Sequence, residues 1–382
     1  MSRRIRMGMV GGGQGAFIGA VHRMAAALDG QIELVCGAFS SSPEKSKASA
    51  KQLFIPAERA YGTYEEMILK EKALPEDVRM DFVSIVTPNH VHFGPAKMAL
   101  ENGFHVICDK PLCFNMTEAR ELKKIVDESR LIFALTHNYT GYPMVKQARM
   151  MIRNGELGDI RKVIVEYPQG WLSTKVEDSD QKQASWRTDP TKSGIAGAIG
   201  DIGTHAENLA EYITGLHITE LCADISTFVE GRMLDDDGSI LLRFDNGAKG
   251  ILFCSQIAAG EENDLNIRIY GTKAGLEWHQ MEPNTLTLKP LSGPMTKLRT
   301  GVGDLYQEAN IHTRIPAGHP EGYLEAFANI SRNFVHCIRS RIEGTEVDEQ
   351  MTDFPGIDDG VRGMKFIYKA IESGKSESKW VK

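Results

Sequence analysis

The chain is 382 residues long, 42% hydrophobic and 25% charged, with a formal net charge of −7. This length exceeds what one core accommodates and points to two domains, while the composition is that of a soluble globular protein. The acidic surplus excludes a nucleic-acid or anionic-membrane surface, and no apolar run approaches the ~20 residues of a membrane helix.

Met1-Ser2-Arg3-Arg4 is basic, but glycines follow too soon for a secretory signal. Ile5 to Val10 reads as a short apolar strand, Gly11-Gly12-Gly13-Gln14-Gly15 as a turn, and Ala16-Phe17-Ile18 as the opening of a helix. A strand that stops on glycines and turns at once into a helix leaves backbone N–H groups and the positive end of a helix dipole facing outward, a site for a phosphate. Gly11-x-Gly13-x-x-Ala16 fits the dinucleotide fingerprint with alanine in the third place. Gly11, Gly13, Gln14, Gly15, Ala16, Phe17 and Ile18 are therefore candidate cofactor contacts.

Strand and helix then alternate at the spacing of βαβ units. Ile32 to Phe39 is a strand; Ser42 and Pro43 cap the next helix, and Thr63-Tyr64-Glu65-Glu66 is a capping box. Phe82 to Val86 is a strand ending at Thr87-Pro88-Asn89-His90, and Gly94 to Asn102 is a helix. His105 to Cys108 is a strand that delivers Asp109-Lys110-Pro111; Asn115 caps a helix to about Ser129, and Leu131 to Leu135 leads to Thr136-His137-Asn138-Tyr139. In a parallel sheet these strand ends share the rim where ligands bind. The end of the second strand offers Ser40 and Ser41, with Lys45 nearby and no acid before Glu44, so hydroxyls and a lysine leave both NAD and NADP open.

From about residue 141 the pattern changes. Val145 to Asn154 is a helix, and Ile160 to Tyr167, Thr219 to Phe228, Ile240 to Phe244, Lys249 to Cys254, Leu265 to Tyr270 and Leu276 to Trp278 are strands. Asp245-Asn246-Gly247 is a hairpin turn, which implies a mostly antiparallel sheet. Ser292 to His319 lacks periodicity and reads as an extended loop; Ala326 to Ile338 and Gly363 to Ile371 read as helices. The fold class is α/β: a dinucleotide-binding domain over residues 1–139 and an α+β domain with a large, mostly antiparallel open sheet over residues 140–382. The six cysteines form no C-x-x-C pair and mostly sit in apolar contexts, as expected of free thiols in a reducing cytoplasm.

Between the halves lies Trp186-Arg187-Thr188-Asp189, followed by Asp201-Ile202-Gly203-Thr204-His205. Asp201 and His205, four apart, would share a helix face, where a carboxylate can orient an imidazole and raise its pKa toward that of a general base. A capping aspartate with an unrelated histidine is the alternative reading.

Taken in order, the glycine fingerprint, Thr87-Pro88-Asn89, Asp109-Lys110-Pro111 and Asp201-Ile202-Gly203-Thr204-His205 resemble the Gfo/Idh/MocA family of oxidoreductases over nearly the full length. The family usually has Glu-Lys-Pro where this chain has Asp109-Lys110-Pro111, and the Gly11 to Gly19 loop is longer than the usual turn. Gly11 to Gly19, with Gly318-His319-Pro320-Glu321-Gly322-Tyr323, is similar to a subgroup containing levoglucosan dehydrogenase and glucoside-3-dehydrogenases. The resemblance implies a Rossmann domain and a hydride transfer between a secondary hydroxyl of a sugar, glucoside or anhydrosugar and nicotinamide, with C3 of the ring as the sharpest assignment. Lys110, His205 and Asp201 would be catalytic: Lys110 on the reacting oxygen, His205 as base, Asp201 holding His205 or a substrate hydroxyl, with the lysine and the imidazole converging on one alcohol carbon. Cofactor contacts would add Ser40, Ser41, Lys45, Thr87, Pro88, Asn89, His92, Asp109, Lys110, Asn138, Trp186 and Arg187. Substrate contacts would be Lys110, Tyr142, Trp171, Arg187, Asp201, His205 and His319. The cofactor is NAD or NADP, the resemblance leaning to NAD, and no metal is expected.

The partners would be a small sugar and further copies of the chain, as a dimer or tetramer through the open sheet. Within the family the alternatives are an inositol or polyol dehydrogenase and a sugar–sugar oxidoreductase with tightly held cofactor. Outside these activities stand a non-catalytic dinucleotide-binding protein and a metal hydrolase using His90, His92, Asp201 and His205.

Overall fold

A computed structural model describes residues 3–179, 181–377 and 380–382; Met1 and Ser2 of the basic amino-terminal stretch lie outside them. The chain divides into two compact units, Met1–Asn138 with Phe327–Val361, and Tyr139–Ala326 with Arg362–Lys382.

The first unit runs β1 (Ile5–Gly11), α1 (Phe17–Leu28), β2 (Ile32–Ala38), α2 (Pro43–Gln52), α3 (Tyr64–Ala73), β3 (Phe82–Val86), α4 (Phe93–Glu101), β4 (His105–Cys108), α5 (Met116–Ser129) and β5 (Phe133–Leu135). The five strands are parallel in the order β2-β1-β3-β4-β5. Chain order reverses at β1, so the carboxyl ends of β1 and β3 flank the switch point where such sheets bind ligands. The expected caps hold the helices: Ser42 accepts from Lys45 N–H and Asn115 from Thr117 and Glu118 N–H. The capping box is shifted by one residue. Thr63 Oγ1 accepts from Glu66 N–H, but the Glu66 carboxylate accepts from Gly62 N–H at 2.9 Å.

The chain returns to this unit after residue 326, where the sequence reading placed 140–382 wholly in the second domain. The cause is an apolar stripe of Ile330, Phe334, Val335 and Ile338, which joins the core formed by Met7, Met9, Phe82, Ile107 and Ala134. Phe334 packs edge-on against Phe82, ring centroids 5.2 Å apart. Each such side chain, once buried, contributes about 1.5–3 kcal/mol.

The second unit begins with α6 (Pro143–Arg153), β6 (Ile160–Pro168), α7 (Lys182–Arg187), α8 (Pro190–Ser193) and α9 (Thr204–Thr214), the last entered through a π-helical turn, Ile199–Gly203. It continues through β7 (Ile218–Ser226), β8 (Asp237–Phe244), β9 (Lys249–Ser255), β10 (Asn266–Gly271), β11 (Ala274–His279), β12 (Thr285–Pro290), β13 (Thr296–Arg299) and α10 (Gln307–Asn310). Two long helices follow, α11 (Tyr323–Glu343), which belongs to the first unit from Phe327 on, and α12 (Ile357–Lys375), which belongs to the second from Arg362 on, and then β14 (Trp380–Val381) of the second unit. The strands form one open sheet in the order β13-β12-β11-β10-β6-β9-β8-β7-β14, antiparallel except for β6 beside β9. Ser292 to His319, expected as a loop, contains β13 and α10. β13 is a four-residue edge strand with three of its residues exposed, so it carries no apolar alternation to read. No helix among the described residues is long and apolar enough to cross a membrane.

One backbone detail is out of keeping with its residue. α2 ends in a Schellman motif: Phe54 N–H donates to Lys51 O at 3.2 Å and Ile55 N–H to Ala50 O at 3.0 Å. Phe54 occupies the left-handed position at φ 57°, normally a glycine, and is 93% exposed. Left-handed backbone costs a side chain about 1–2 kcal/mol, and glycine's extra chain entropy returns part of that. Phe54→Gly is therefore expected to stabilise the protein by roughly 0.5–1 kcal/mol, read as a raised midpoint in urea unfolding; an unchanged or lowered midpoint refutes the strain.

Candidate active site

In the first unit the glycine loop is built by close backbone approach. Gly11 and Gly12 have φ of 83° and 72°. Gly13 N–H donates to Phe39 O at 3.1 Å and Gln14 N–H to Ser49 Oγ at 3.1 Å; a Cβ on Gly13 would lie 2.7 Å from both acceptors. The place assigned to Ala16 belongs to Gly19. A Cβ there would lie 2.3 Å from Gly12 Cα, so Gly19 is the residue that lets α1 press on the turn. Ala16 instead starts the helix, with no side-chain cap and no acid in the first turn, and Gln14, Gly15 and Phe17 are exposed. Such an uncapped start suits an anion.

Thr87, at the end of β3, has a buried Oγ1 without a partner among the described residues, and so does Asn138 Nδ2 after β5. Two unsatisfied buried polar atoms on one rim fit a ligand with its own amide or hydroxyls. Pro88 is half-buried and Asn89 buried beside them. His92, expected as a cofactor contact, is instead 1% exposed, with Nε2 on Thr87 O and Nδ1 on Pro111 O, each at 2.8 Å. It braces two strand ends. Burial pushes its pKa down against Asp109's charge and these two carbonyls. Each ring nitrogen faces a backbone carbonyl oxygen, to one of which the neutral ring donates, so the buried imidazole is turned away from the metal-hydrolase arrangement. At the end of β2, Ser40 Oγ accepts from Ser42 N–H, Ser41 and Lys45 are exposed, and Ser42 Oγ donates to Glu44. Glu44's own backbone N–H and that hydroxyl hold its carboxyl below the usual range.

Asp109 does not face outward. Its carboxylate accepts from Thr136 Oγ1 at 2.6 Å and pairs with His22 Nε2 at 2.9 Å. Burial would raise its pKa, but the charge and hydrogen bond of His22 and the Thr136 hydroxyl outweigh it and lower it. Lys110 follows, half-buried, before a cis bond to Pro111.

The second unit supplies its own cluster. Asp201 sits in the π-helical turn and His205 in the first turn of α9, so the simple α-helical spacing does not relate them. Asp201 Oδ2 accepts from Arg187 Nε at 3.1 Å and Gln256 Nε2 at 2.9 Å. Arg187 also donates to Gln183 Oε1 and stacks on Trp186, 4.3 Å from the ring centroid. Asp235 pins the turn from beneath, accepting from Gly197 and Ile199 N–H; burial pushes its pKa up to about 6 despite those donors. His205 is 8% exposed and packs edge-on against Tyr139, centroids 4.9 Å apart, with Tyr167 at 6.2 Å. The hydroxyls of Tyr139 and Tyr167 bond each other, Tyr167 donates to Asn263 Oδ1, and Gln169 Nε2 donates to the same oxygen. Trp171 Nε1–H donates to Gln169 Oε1, which ties a half-buried indole to this chain of polar groups.

Two expected substrate residues are placed otherwise. Tyr142 is 2% exposed and packs on Tyr139 and Trp278, a core position. His319 is exposed on a loop, its Nδ1 on Pro316 O, while Glu321 accepts from Arg314 and Ile315 N–H and shapes that loop. His22, Gly19, Gln256, Tyr139, Tyr167 and Asn263 escaped the sequence reading. Of these, only the histidine interrupting the apolar face of α1 leaves a signal in the chain.

Residues 5–137 match the model of an oxidoreductase family with an NAD-binding Rossmann fold, and residues 145–277 the GFO/IDH/MocA C-terminal domain. An oxidoreductase from Sinorhizobium meliloti is 46% identical, with 100% of each chain covered and a TM-score of 0.90. An inositol dehydrogenase homolog from Azotobacter vinelandii, complexed with NADH and myo-inositol, is 34% identical over 100% of this chain and 98% of its own, with a TM-score of 0.91. Levoglucosan dehydrogenase from Pseudarthrobacter phenanthrenivorans is 27% identical over 72% of this chain and 73% of its own.

Proposed function

Because the chain belongs to the Gfo/Idh/MocA family of NAD-binding oxidoreductases, we propose that it oxidises a ring hydroxyl of a sugar, anhydrosugar or inositol. The observation that carries this reading is the rim of the parallel sheet. An uncapped helix start on a glycine turn and a lysine fixed at the end of β4 lie on the same carboxyl edge. The first accepts the dinucleotide phosphates. The second puts a cation where alkoxide charge develops.

The start of α1, Ser40, Ser41, Thr87 and Asn138 would hold NAD, which supplies the hydride acceptor. Lys110 hydrogen-bonds the reacting hydroxyl and lowers the cost of its deprotonation. His205, seated between tyrosine rings, takes the proton, and Asp201, fixed by Arg187 and Gln256, binds a neighbouring hydroxyl or steadies the base. Trp171 offers an aromatic face for the apolar side of the ring. The carboxylate of Glu44, held ionised as it accepts from the Ser42 hydroxyl just past the end of β2, repels a 2′-phosphate and favours NAD.

Myo-inositol, levoglucosan, glucose and simple glucosides, each assayed with NAD and NADP, test this. At least one ring polyol is expected to reduce NAD, with NAD preferred by about tenfold or more in kcat/KM. Turnover of non-carbohydrate substrates alone would end the reading. One row on the open face of the large sheet is apolar: Cys222, Leu241, Ile251 and Ile164 lie side by side, Leu241 48% exposed. We assign the homodimer or homotetramer to this face, which light scattering on the same preparation checks. The free cysteines suit a cytoplasmic location.

A further inference from the structure

α1 carries a buried titratable group that the reaction as described does not use. His22 is 4% exposed, and its ring packs edge-on to Phe327 with centroids 5.1 Å apart. Nε2 meets Asp109 Oδ1 at 2.9 Å and Nδ1 meets Ser84 Oγ at 3.4 Å. Asp109 is further fixed by its own N–H on Ile85 O at 3.0 Å and by the Thr136 hydroxyl. On the far flank of Lys110, the Pro111 carbonyl is held by His92. The lysine is therefore carried on a turn clamped on both sides.

The two clamps differ in what lies behind them. His92 belongs to the rim itself. His22 belongs to the helix whose first turn faces the cofactor phosphates and whose Gly19 touches the glycine turn. From Ala16 to His22 the rise is about 9 Å along one rigid helix. A leucine would fill the same space without the cost of burying an imidazole against a carboxylate. We propose that His22 is a positioning residue for Lys110: by holding Asp109 it sets the lysine turn in register with the cofactor-binding helix. The proposal rests on the reading that Lys110 acts on the substrate hydroxyl. Without His22, Asp109 loses its main inward partner and can turn to the neighbouring ammonium, withdrawing it from the substrate.

The test is a set of variants assayed with NAD and the best ring polyol. His22→Leu is expected to lower kcat by about 30- to 100-fold, as a misplaced catalytic group does, with the KM for NAD changed by less than about threefold. His22→Gln, whose amide N–H reaches the imidazole Nε2 position, recovers kcat to within about fivefold of wild type, and His22→Asn, one methylene shorter, does not. In a Lys110→Met background His22→Leu causes no further loss, because its effect passes through the lysine. A wild-type kcat in His22→Leu overturns the proposal, as does an equal fold loss in both backgrounds, which marks a purely structural histidine. If His22→Leu does not fold, the contrast between His22→Gln and His22→Asn decides in the same way. Absence of NAD-linked turnover by the wild-type enzyme would instead refute the dehydrogenase reading.

Discussion

Lys110→Met is expected to reduce kcat by about a thousandfold, some 4 kcal/mol of transition-state stabilisation, while NADH affinity and the unfolding midpoint stay near wild type. A secondary alcohol releases hydride only as its proton leaves, so the charge on oxygen grows toward the transition state. A preorganised cation meets that charge without reorganisation, and methionine keeps the volume of the stem while removing the charge. The half-buried position allows this exchange without opening a cavity. His205→Asn should cost about 10²- to 10⁴-fold, the range for general-base removal. If the two groups act on the same proton, the double variant loses much less than the product of the single losses. Steady-state kinetics of the three variants, with NADH binding followed by tryptophan fluorescence, measure this. A Lys110→Met enzyme within tenfold of wild type would remove the lysine from the chemistry.

The elements around this lysine were legible because local chemistry announces them. Ser42 with Pro43, Thr63 and Asn115 each stand at a helix start and bond the N–H groups there. The Asp-Asn-Gly turn after β8 is a tight hairpin, with Gly247 at φ 87° and Asn246 Oδ1 accepting from Ala248 N–H. Asp109-Lys110-Pro111 stands where a strand end announces it, whereas the four-residue spacing of Asp201 and His205 predicts one α-helical face and the structure instead puts Asp201 in a π-helical turn ahead of α9. What holds these residues was not legible. Gln256 comes to Asp201 from 55 positions away because β9 ends beside the π-helical turn. Asn263 reaches Tyr139 across 124 positions through the order of strands in the sheet. Tyr142 misled because an aromatic before a helix looks the same whether it packs on Trp278 or on a sugar. Ala16 misled because the loop is longer than the pattern assumes, and the close contact moved three residues on.

That displacement makes Gly19→Ala the most informative test of the cofactor turn. In an ordinary helix the exchange stabilises by about 1 kcal/mol, since alanine is the better helix former, and Gly19 has a helical rather than a left-handed backbone. Here the added Cβ would lie 2.3 Å from Gly12 Cα and 2.7 Å from Gly12 O, both backbone atoms that no rotamer change can move. α1 must slide outward, and overpacking of this kind costs roughly 1–3 kcal/mol. The turn feels it directly: Gly12 O also accepts from Arg23 at 2.7 Å, so the helix cannot shift without breaking its own tether. The steric term exceeds the propensity term, and the variant should unfold at lower urea while NADH binds at least about tenfold more weakly, because the helix start no longer faces the phosphates at the same height. Gly15→Ala is the control. Its φ of 74° strains any side chain, but a Cβ there meets nothing within 4 Å, so it should cost only about 1–2 kcal/mol of local strain without comparable loss of cofactor. Ala16→Gly, at the position the fingerprint names, should bind NADH nearly as wild type does. If Gly19→Ala binds NADH normally and Ala16→Gly does not, the helix meets the turn at Ala16 after all, and the assignment of Gly19 is wrong.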